Sequence, residues 1–338
     1  MKKIFYMIIL ACLCFTNCGS SAASKASGKI VIYTSMYRDA VDDIEKVLKK
    51  QFPNTQIEFS FGGTGTLQAR LEEEIEEGRL GCDILMLADP SYSIELKEKE
   101  MLHQFISNEV SALAYDYDPD GFWYPVRISN MVLAFNPAMN SRDTLPKTFY
   151  DFAYNANFKD QISMSNPLLS GTTLAAVSAL KDKYGDEYFE ALGRQNIHIE
   201  SGAVALSKLE TGERKLVMVL EESVLKMREE EKSSLEIIYP TDGIVVIPST
   251  IMIVNKQWSA NRNINTAEEI TDWFLSREGQ NAIVSKWMHS VRVNFEKNPY
   301  DAISSATIFN RNIKVNWKDI YRQRDEIQQK FEQQVIYR

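Results

Sequence analysis

The 338-residue sequence has few of the residue types that build disulfide scaffolds and histidine metal centres. It contains four cysteines and three histidines, and the histidines share no metal-ligand spacing. Cys12, Cys14 and Cys18 lie near the N-terminus, which leaves Cys82 without a partner in the rest of the chain. The sequence therefore excludes an intramolecular disulfide in the folded part, and we interpret Cys82 as a buried structural thiol.

Other absences narrow the class of function. No cluster of lysine and arginine occurs, and the net charge is −8, which argues against a nucleic-acid-binding protein. The chain has no internal repeat or low-complexity tract, and its length suits two domains. No Ser-His-Asp or Cys-His order, HExxH motif or Asp-rich metal motif stands out. The sequence therefore offers no nucleophile and base that would make the chain an enzyme.

The N-terminus has the pattern of an exported lipoprotein. A short basic start precedes the apolar residues 4–15, which are too few to span a bilayer. Phe15-Thr16-Asn17-Cys18 then resembles a bacterial lipobox. We predict a signal peptide over residues 1–17, lipid attached to Cys18 as a membrane anchor, and a flexible tether over residues 18–28. Cleavage of an ordinary secretory signal near Ala22-Ala23 is the alternative.

Apolar strands alternate with amphipathic helices in the first part of the chain. Strands are predicted at residues 29–33, 57–61 and 83–87, with helices starting near Asp39 and Thr66 between them. This order is typical of a parallel sheet with helices on its faces. Ligands of such sheets bind beyond the carboxyl ends of the strands. The turns at residues 34–37, 62–66 and 88–90 lie there.

The turn Gly62-Gly-Thr-Gly-Thr66 is rich in glycine and hydroxyl groups. A Walker loop would need Gly-Lys where Leu67 and Gln68 stand, and the third glycine of a Rossmann fingerprint is also missing. We predict that Gly63, Thr64, Gly65 and Thr66 hold an anion through backbone N–H groups at the helix start. A plain connection between strand and helix is the alternative.

A second α/β unit repeats this chemistry. Residues 165–173, Ser-Asn-Pro-Leu-Leu-Ser-Gly-Thr-Thr, precede a helix, and a strand at residues 216–220 ends at Glu221-Glu222. Further strands are predicted at residues 131–135, 244–248 and 251–254, followed by a mostly helical region. Two lobes facing each other across a cleft suit hinge closure on a ligand.

We predict lobe boundaries from the same pattern. The first lobe comprises residues 29–128 and about 250–300, and the second comprises about 129–249. A C-terminal helical segment covers about 301–338.

Several segments, in their order and spacing, resemble the solute-binding proteins of bacterial ABC importers. They are VIYTS, GGTGT with RLEEE, CDILMLADP, WYPVRISNMVLAFNP, SNPLLSGTT and FLSREGQNAI, and the resemblance covers about residues 29–294. It is greatest to the ferric-iron-binding class, which also includes binders of phosphorylated sugars and phosphonates.

The resemblance implies an α/β, type II-like periplasmic-binding-protein fold. Each of its two lobes would be a mainly parallel sheet flanked by helices, with the ligand cleft between them. It further implies a protein in the cell envelope that faces the periplasm or the exterior, and that delivers a small ligand to the permease of an ABC importer.

Carried over residue by residue, the resemblance places a ferric-ion ligand at Tyr37 and a carboxylate ligand at Asp89. The two adjacent tyrosines of the class would fall near Glu221 and Glu222, where this sequence has no tyrosine pair. Phenolate and carboxylate oxygens both suit a hard cation. The candidate metal ligands are therefore Tyr37, Asp89, Glu221 and Glu222. The candidate ligand contacts are Ser35, Tyr37, Gly63, Thr64, Gly65, Thr66, Asp89, Arg127, Ser170, Gly171, Thr172, Thr173, Glu221 and Glu222.

Ferric iron with a synergistic anion is the first predicted cargo, and no other cofactor is expected. A phosphorylated small organic ligand is the alternative, because it would explain both glycine- and hydroxyl-rich turns. Arg127 would clamp an oxyanion bidentately or form an ion pair between the lobes. Glu221 and Glu222 would face opposite sides of a strand, or would cap the following helix.

Overall fold

The computed structural model describes residues 26–338, so the predicted signal peptide and Cys18 lie outside the described residues. Strands of alternating or continuous apolar character form in the described range, as their composition predicts. They are β1 (Gly28–Thr34), β2 (Thr55–Phe61), β3 (Ile84–Leu87), β4 (Tyr124–Phe135), β5 (Ile162–Met164), β6 (His198–Ile199), β7 (Leu216–Leu220), β8 (Glu236–Ile238), β9 (Ile244–Ile253) and β10 (Asn312–Ile313).

Helices connect most of these strands and cover the faces of the sheet. Several begin at a serine, threonine or asparagine whose side chain accepts a hydrogen bond from the first turn. They are α1 (Arg38–Gln51), α2 (Thr64–Glu76), α3 (Pro90–Glu98), α4 (Phe149–Tyr154), α5 (Gly171–Tyr184), α6 (Glu187–Arg194), α7 (Gly202–Glu210), α8 (Glu221–Glu230), α9 (Ile264–Leu275), α10 (Arg277–Val284), α11 (Ser305–Asn310) and α12 (Trp317–Phe331).

The strands of the described range form one sheet in the order β2-β1-β3-β9-β4-β7-β5-β6, with β10 beside β9 and β8 beside β4. β1 pairs in parallel with β2 and β3, and β5 pairs in parallel with β6 and β7. Between these two groups, β3, β9, β4 and β7 pair antiparallel. The predicted α/β class is confirmed, and the antiparallel centre is a feature that the sequence pattern did not predict.

Two long strands, β4 and β9, run through the centre of the sheet. The sequence pattern predicted shorter separate strands here, at residues 131–135, 244–248 and 251–254. The structure instead continues each strand through a proline, Pro125 in β4 and Pro248 in β9. Pro125 is the second residue of β4 and lies beside a shift in register with β9, a position at which a strand tolerates proline.

Two large apolar cores lie on either side of this centre. The first core includes Ile30, Ile44 and Phe274, and the second includes Phe152 and Phe331. We call the parts of the molecule around them the first and the second lobe. The beginning of β4 packs in the first core and its end packs in the second, so β4 passes from one lobe to the other. The lobe boundaries drawn from the sequence stay predictions.

Cys82 is fully buried and has no disulfide partner in the described range. Burial raises the pKa of its thiol well above the usual value. The thiol is therefore neutral and packs as an apolar side chain, as the sequence predicted.

Candidate functional site: a cleft between the lobes

A cavity of about 750 Å³ lies between the two lobes. It sits at the carboxyl ends of parallel strands, where the turns after β1, β2, β3 and β5 meet. Many of the ligand contacts predicted from the sequence lie along its walls. They are Ser35, Tyr37, Gly63, Thr64, Arg127, Ser170, Thr172, Thr173 and Glu222.

The N-termini of α2 and α5 open onto this cavity from opposite lobes. Gly63 precedes α2 and has no side chain to cap it, so the first N–H groups of α2 need another acceptor. Ser170 caps α5, because its Oγ accepts a hydrogen bond of 3.2 Å from the backbone N–H of Thr173. The Ser170 Oγ also lies 3.0 Å from Thr172 Oγ1. Both helix ends carry partial positive charge and therefore favour an anion.

Arg127 supplies a full positive charge to the same cavity. Its side chain is about 5% exposed, and its Nη1 donates to Ser129 Oγ at 3.0 Å and to Glu222 Oε1 at 3.3 Å. Its Nη2 lies 3.5 Å from Ser35 Oγ, which is too long for a strong hydrogen bond. Burial lowers the pKa of the guanidinium, and Glu222 opposes that effect. The predicted ion pair between the lobes is present, and Nη2 retains capacity to donate to a ligand.

Glu222 completes this pair from the first turn of α8. Its Oε1 accepts a hydrogen bond of 2.7 Å from Ser129 Oγ. Burial raises the pKa of the carboxyl group, whereas Arg127 and Ser129 lower it. The sequence analysis placed Glu222 at the end of a strand or as a cap of the following helix. The structure places it in the first turn of α8, where no side chain caps the helix.

Tyr37 reaches across the cleft to the second lobe. Its phenol oxygen lies 2.5 Å from Ser223 Oγ, and Lys226 stands 5.5 Å from the centre of its ring. Burial and the neighbouring Glu222 raise the pKa of Tyr37 to about 12. The phenol is therefore neutral near pH 7, whereas a metal ligand would be the phenolate.

Asp89 lies outside the lining of the cavity. It is buried and caps α3, accepting a hydrogen bond of 3.0 Å from Ser91 N. Its other oxygen accepts from Gln68 Nε2 at 2.8 Å and from Arg324 Nη2 at 3.2 Å. Arg324 belongs to α12, so the C-terminal helix neutralises this carboxylate.

Glu221 also lies outside the lining, on the opposite face of β4. Its Oε2 accepts hydrogen bonds from Asn130 Nδ2 at 2.7 Å and pairs with His289 Nε2 at 2.8 Å. Its Oε1 accepts from the hydroxyl of Tyr239. These buried polar contacts connect α8 to β4 and to the segments that carry His289 and Tyr239.

Gly65 and Gly171 form the contact between α2 and α5. A Cβ atom added at Gly65 would stand 2.8 Å from the carbonyl oxygen of Leu169. A Cβ atom added at Gly171 would stand 2.8 Å from Thr64 Cγ2. Both glycines, together with Thr66, lie outside the cavity lining. Their missing side chains allow the two lobes to approach each other at this edge of the cleft.

The sequence analysis did not identify a third helix N-terminus that lines the cavity. Ser201, Gly202 and Ala203 line it at the beginning of α7, and Ser201 Oγ accepts from the N–H of Val204. The signal was present, because the segment Ser-Gly-Ala-Val follows a strand and precedes an apolar helix, as in the other two turns. Lys226, whose ammonium group pairs with Asp39, was also missed.

The four predicted metal donors do not lie together in the cavity. Two of them, Tyr37 and Glu222, line the cavity, while Asp89 and Glu221 are engaged elsewhere. Across residues 26–338, no three histidine, cysteine, aspartate or glutamate side chains are grouped in a way that could hold a metal ion.

Comparison with known proteins identifies the family. Residues 82–318 match the family of bacterial extracellular solute-binding proteins. The chain belongs to this family. No curated protein sequence matches the chain. Like its family and its structural neighbours, the chain is a binding protein and not an enzyme.

Solved structures of solute-binding proteins share its fold. Iron-bound HitA from Pseudomonas aeruginosa is 19% identical with a TM-score of 0.76, over 90% of this chain and 99% of that one. AfuA from Actinobacillus pleuropneumoniae, with fructose-6-phosphate bound, is 18% identical with a TM-score of 0.80, over 93% and 100%. The ferric binding protein from Campylobacter jejuni is 20% identical with a TM-score of 0.73, over 90% and 98%.

These likenesses confirm the two-lobed fold of a periplasmic binding protein. Solute-binding proteins of this family bind small ligands outside the cytoplasm and deliver them to ABC transporters. In the described part of the chain, every helix is too short or too polar to cross a membrane.

Proposed function

We propose that this solute-binding protein captures a phosphorylated small organic ligand and delivers it to the permease of an ABC importer. The observation that carries the proposal is the cavity of about 750 Å³ onto which two helix N-termini and the buried Arg127 open. Backbone N–H groups and a guanidinium group both suit phosphate oxygens. The volume falls within the roughly 300–1,000 Å³ of clefts that hold small organic molecules.

Ferric iron with an anion, the first cargo predicted from the sequence, is supported less well by the geometry. The four candidate donors do not converge, and Arg127 already pairs with Glu222. Across the residues that the structure describes, no group of three histidine, cysteine, aspartate or glutamate side chains could hold a metal ion. HitA holds iron and AfuA holds fructose-6-phosphate on the same fold, so the fold itself is compatible with either cargo.

Native mass spectrometry and calorimetry on the full-length chain separate the two cargoes. We expect a phosphate ester to co-purify or to bind when added, and we expect Arg127→Gln to weaken that binding. Arg194→Gln is the matched control, since Arg194 is 52% exposed on α6 and does not line the cavity. Co-purified iron that is lost in both Tyr37→Phe and Glu222→Gln would instead support the ferric cargo.

We further propose that the protein is anchored to the membrane by lipid on Cys18, which lies outside the described residues. A lipid-anchored protein is held at the membrane through its acyl chains. Cys18→Ser should therefore move the protein from the membrane fraction to the soluble fraction. A variant that stays in the membrane fraction, or a wild-type protein that carries no lipid, would contradict the proposal.

A further inference from the structure

The helix α12 contacts both lobes, and its two sides make contacts of different kinds. Its apolar side packs in the second core through Ile320, Ile327 and Phe331. The ring of Phe331 meets the ring of Phe189 edge-on, with 5.4 Å between the ring centres. Separating this contact would expose apolar surface to water, which is unfavourable, so α12 is fixed to the second lobe.

The opposite side of α12 reaches α3, which packs against β1 and β3 in the first lobe. Arg324 Nη2 lies 3.2 Å from Asp89 Oδ2 and 3.0 Å from Ser91 Oγ. Arg324 Nη1 lies 3.3 Å from Glu95 Oε2. The side chain of Asp89 is almost fully buried, and those of Arg324 and Glu95 are mostly buried. One arginine of the second lobe therefore pairs with two carboxylates of the first lobe.

The rest of the contact between α12 and the first lobe is polar. The hydroxyl of Tyr321 donates to Glu98 Oε2 at 2.7 Å. A groove of about 720 Å³ separates α12 from α2 and α3, and charged and amide side chains line most of it, Gln68, Glu72 and Gln328 among them. Water can solvate such groups when they separate. The contact of α12 with the first lobe can therefore open, whereas its apolar contact with the second lobe stays closed.

We propose that α12 favours the closed arrangement of the lobes, and that the contact of Arg324 with Asp89 and Glu95 is the latch that holds it. Arg324 lies outside the lining of the ligand cavity, so it acts on closure as a positioning residue. Opposite charges attract more strongly when they are shielded from bulk water, as they are here. Removing them from water offsets part of this attraction, so the net effect of the latch is modest.

Small-angle X-ray scattering of the full-length chain without added ligand tests the latch. Arg324→Gln removes the charge, so we expect a larger radius of gyration than in the wild type. Arg324→Glu places a like charge opposite Asp89 and Glu95 and should raise the radius at least as much. Lys330→Gln is the matched control, because Lys330 lies on the same helix but pairs within the second lobe, with Asp186 and Glu326. It should leave the radius unchanged.

The rates of ligand binding give a second test. A latch that holds the lobes closed slows the release of a bound ligand and acts less on its arrival. With glucose-6-phosphate as the probe, Arg324→Gln should raise the dissociation rate constant about fivefold, as expected for a partly buried ion pair, and change the association rate constant less. Surface plasmon resonance measures both constants.

The outcomes separate the latch from the proposed function. An unchanged radius of gyration in folded Arg324→Gln would overturn the latch, and so would an equal increase in Lys330→Gln. If circular dichroism shows that Arg324→Gln is unfolded, Glu95→Gln replaces it, since it removes one partner and leaves Asp89 paired. If glucose-6-phosphate and other phosphate esters do not bind the folded wild type, the proposed function is wrong, and the scattering comparison alone decides the latch.

Discussion

Glu221 and Glu222 are neighbours in the first turn of α8, and each side chain is almost fully buried, yet they serve different parts of the molecule. Glu222 faces the cleft and pairs with Arg127 and Ser129. Glu221 faces away from the cleft and bonds to Asn130, His289 and Tyr239. Two equally buried glutamates thus have different surroundings. Glu222 lines the ligand cavity, and Glu221 belongs to a hydrogen-bonded cluster outside it.

The strand β4 explains this division. Successive side chains of a strand point to opposite faces, so Arg127 and Ser129 meet Glu222 while Asn130 meets Glu221 on the other side. On the cleft side of β4, Arg127 Nη2 can still donate a hydrogen bond to a ligand. On the opposite side, the carboxylate of Glu221 already has three hydrogen-bond partners. Burial alone therefore does not identify a binding residue. A buried polar group that still has unused hydrogen-bonding capacity is a better indicator.

The largest expected effect is a loss of folding stability from a substitution of Glu221, on the side of β4 that faces away from the cleft. Glu221→Ala leaves Asn130, His289 and Tyr239 without their acceptor, so we expect it to lower the free energy of unfolding by about 3–5 kcal/mol. Urea unfolding followed by circular dichroism measures the loss. Glu222→Ala is the comparison and should cost less, because water in the cavity can solvate Arg127. Equal losses would show that the two faces do not differ as described.

On the cleft face, Arg127→Gln should affect binding more than folding. Hydrogen bonds to charged groups contribute about 1.5–3 kcal/mol, so the affinity for an added phosphate ester, with glucose-6-phosphate as the probe, should fall about 10- to 100-fold. Calorimetry gives the affinity, and the urea midpoint gives the stability. Retained affinity in a folded Arg127→Gln protein would remove this residue from the binding site.

Gly65→Val tests the edge of the cleft where the lobes touch. The new side chain would collide with the backbone of Leu169, so closure should become unfavourable and the affinity should fall about tenfold. Thermal unfolding should change little, because the clash can be relieved by opening. Ala69→Val is the control, since Ala69 is exposed on the same helix and lies outside the cavity lining. Unchanged affinity in Gly65→Val would mean that closure does not need this contact.

The smallest expected effect is a pH dependence of anion binding in the cleft, which should depend on Glu222. Burial raises the pKa of Glu222, so its carboxyl group gains a proton as the pH falls through that raised value. Protonation frees the charge of Arg127, and sulfate, which keeps its own charge, should then bind more tightly at lower pH. Tyr37, with a pKa of about 12, stays neutral throughout.

Calorimetry with sulfate across pH 4–7 measures this effect, and Glu222→Gln should flatten the profile. Glu231→Gln is the control, because Glu231 is exposed at the rim of the cavity and should leave the profile unchanged. A profile that keeps its slope in Glu222→Gln would assign the pH dependence to another group.

Much of the fold could be predicted from local patterns. The strands and helices from β1 to β3, and the start of α5, lie within about two residues of their predicted positions. The continuity of β9 could not be predicted, because Pro248 normally interrupts a central strand, and β4 begins at Tyr124 rather than at the predicted residue 131. Their pairing with each other through the middle of the molecule maintains both strands, and this long-range contact leaves no local pattern.

The candidate site was predictable where it depends on turns and not where it depends on distant partners. Gly63, Thr64 and Ser170 follow strands and begin helices, which is a local signal. Asp89 has the same local signal, yet its charge is taken up by Arg324, a residue far away in the sequence. The separation of Glu221 from Glu222 likewise depends on which face of β4 each one meets.

The core of each lobe joins residues from distant parts of the chain, and this affects when the contacts of the core can form during folding. The first core needs Phe274 to cover Ile30, and the second needs Phe331 to cover Phe152. Neither core is complete until the last segments of the chain are available, and a topology of such long-range contacts slows folding. Late completion of both cores would suit export of an unfolded chain, which the signal peptide predicted over residues 1–17 implies.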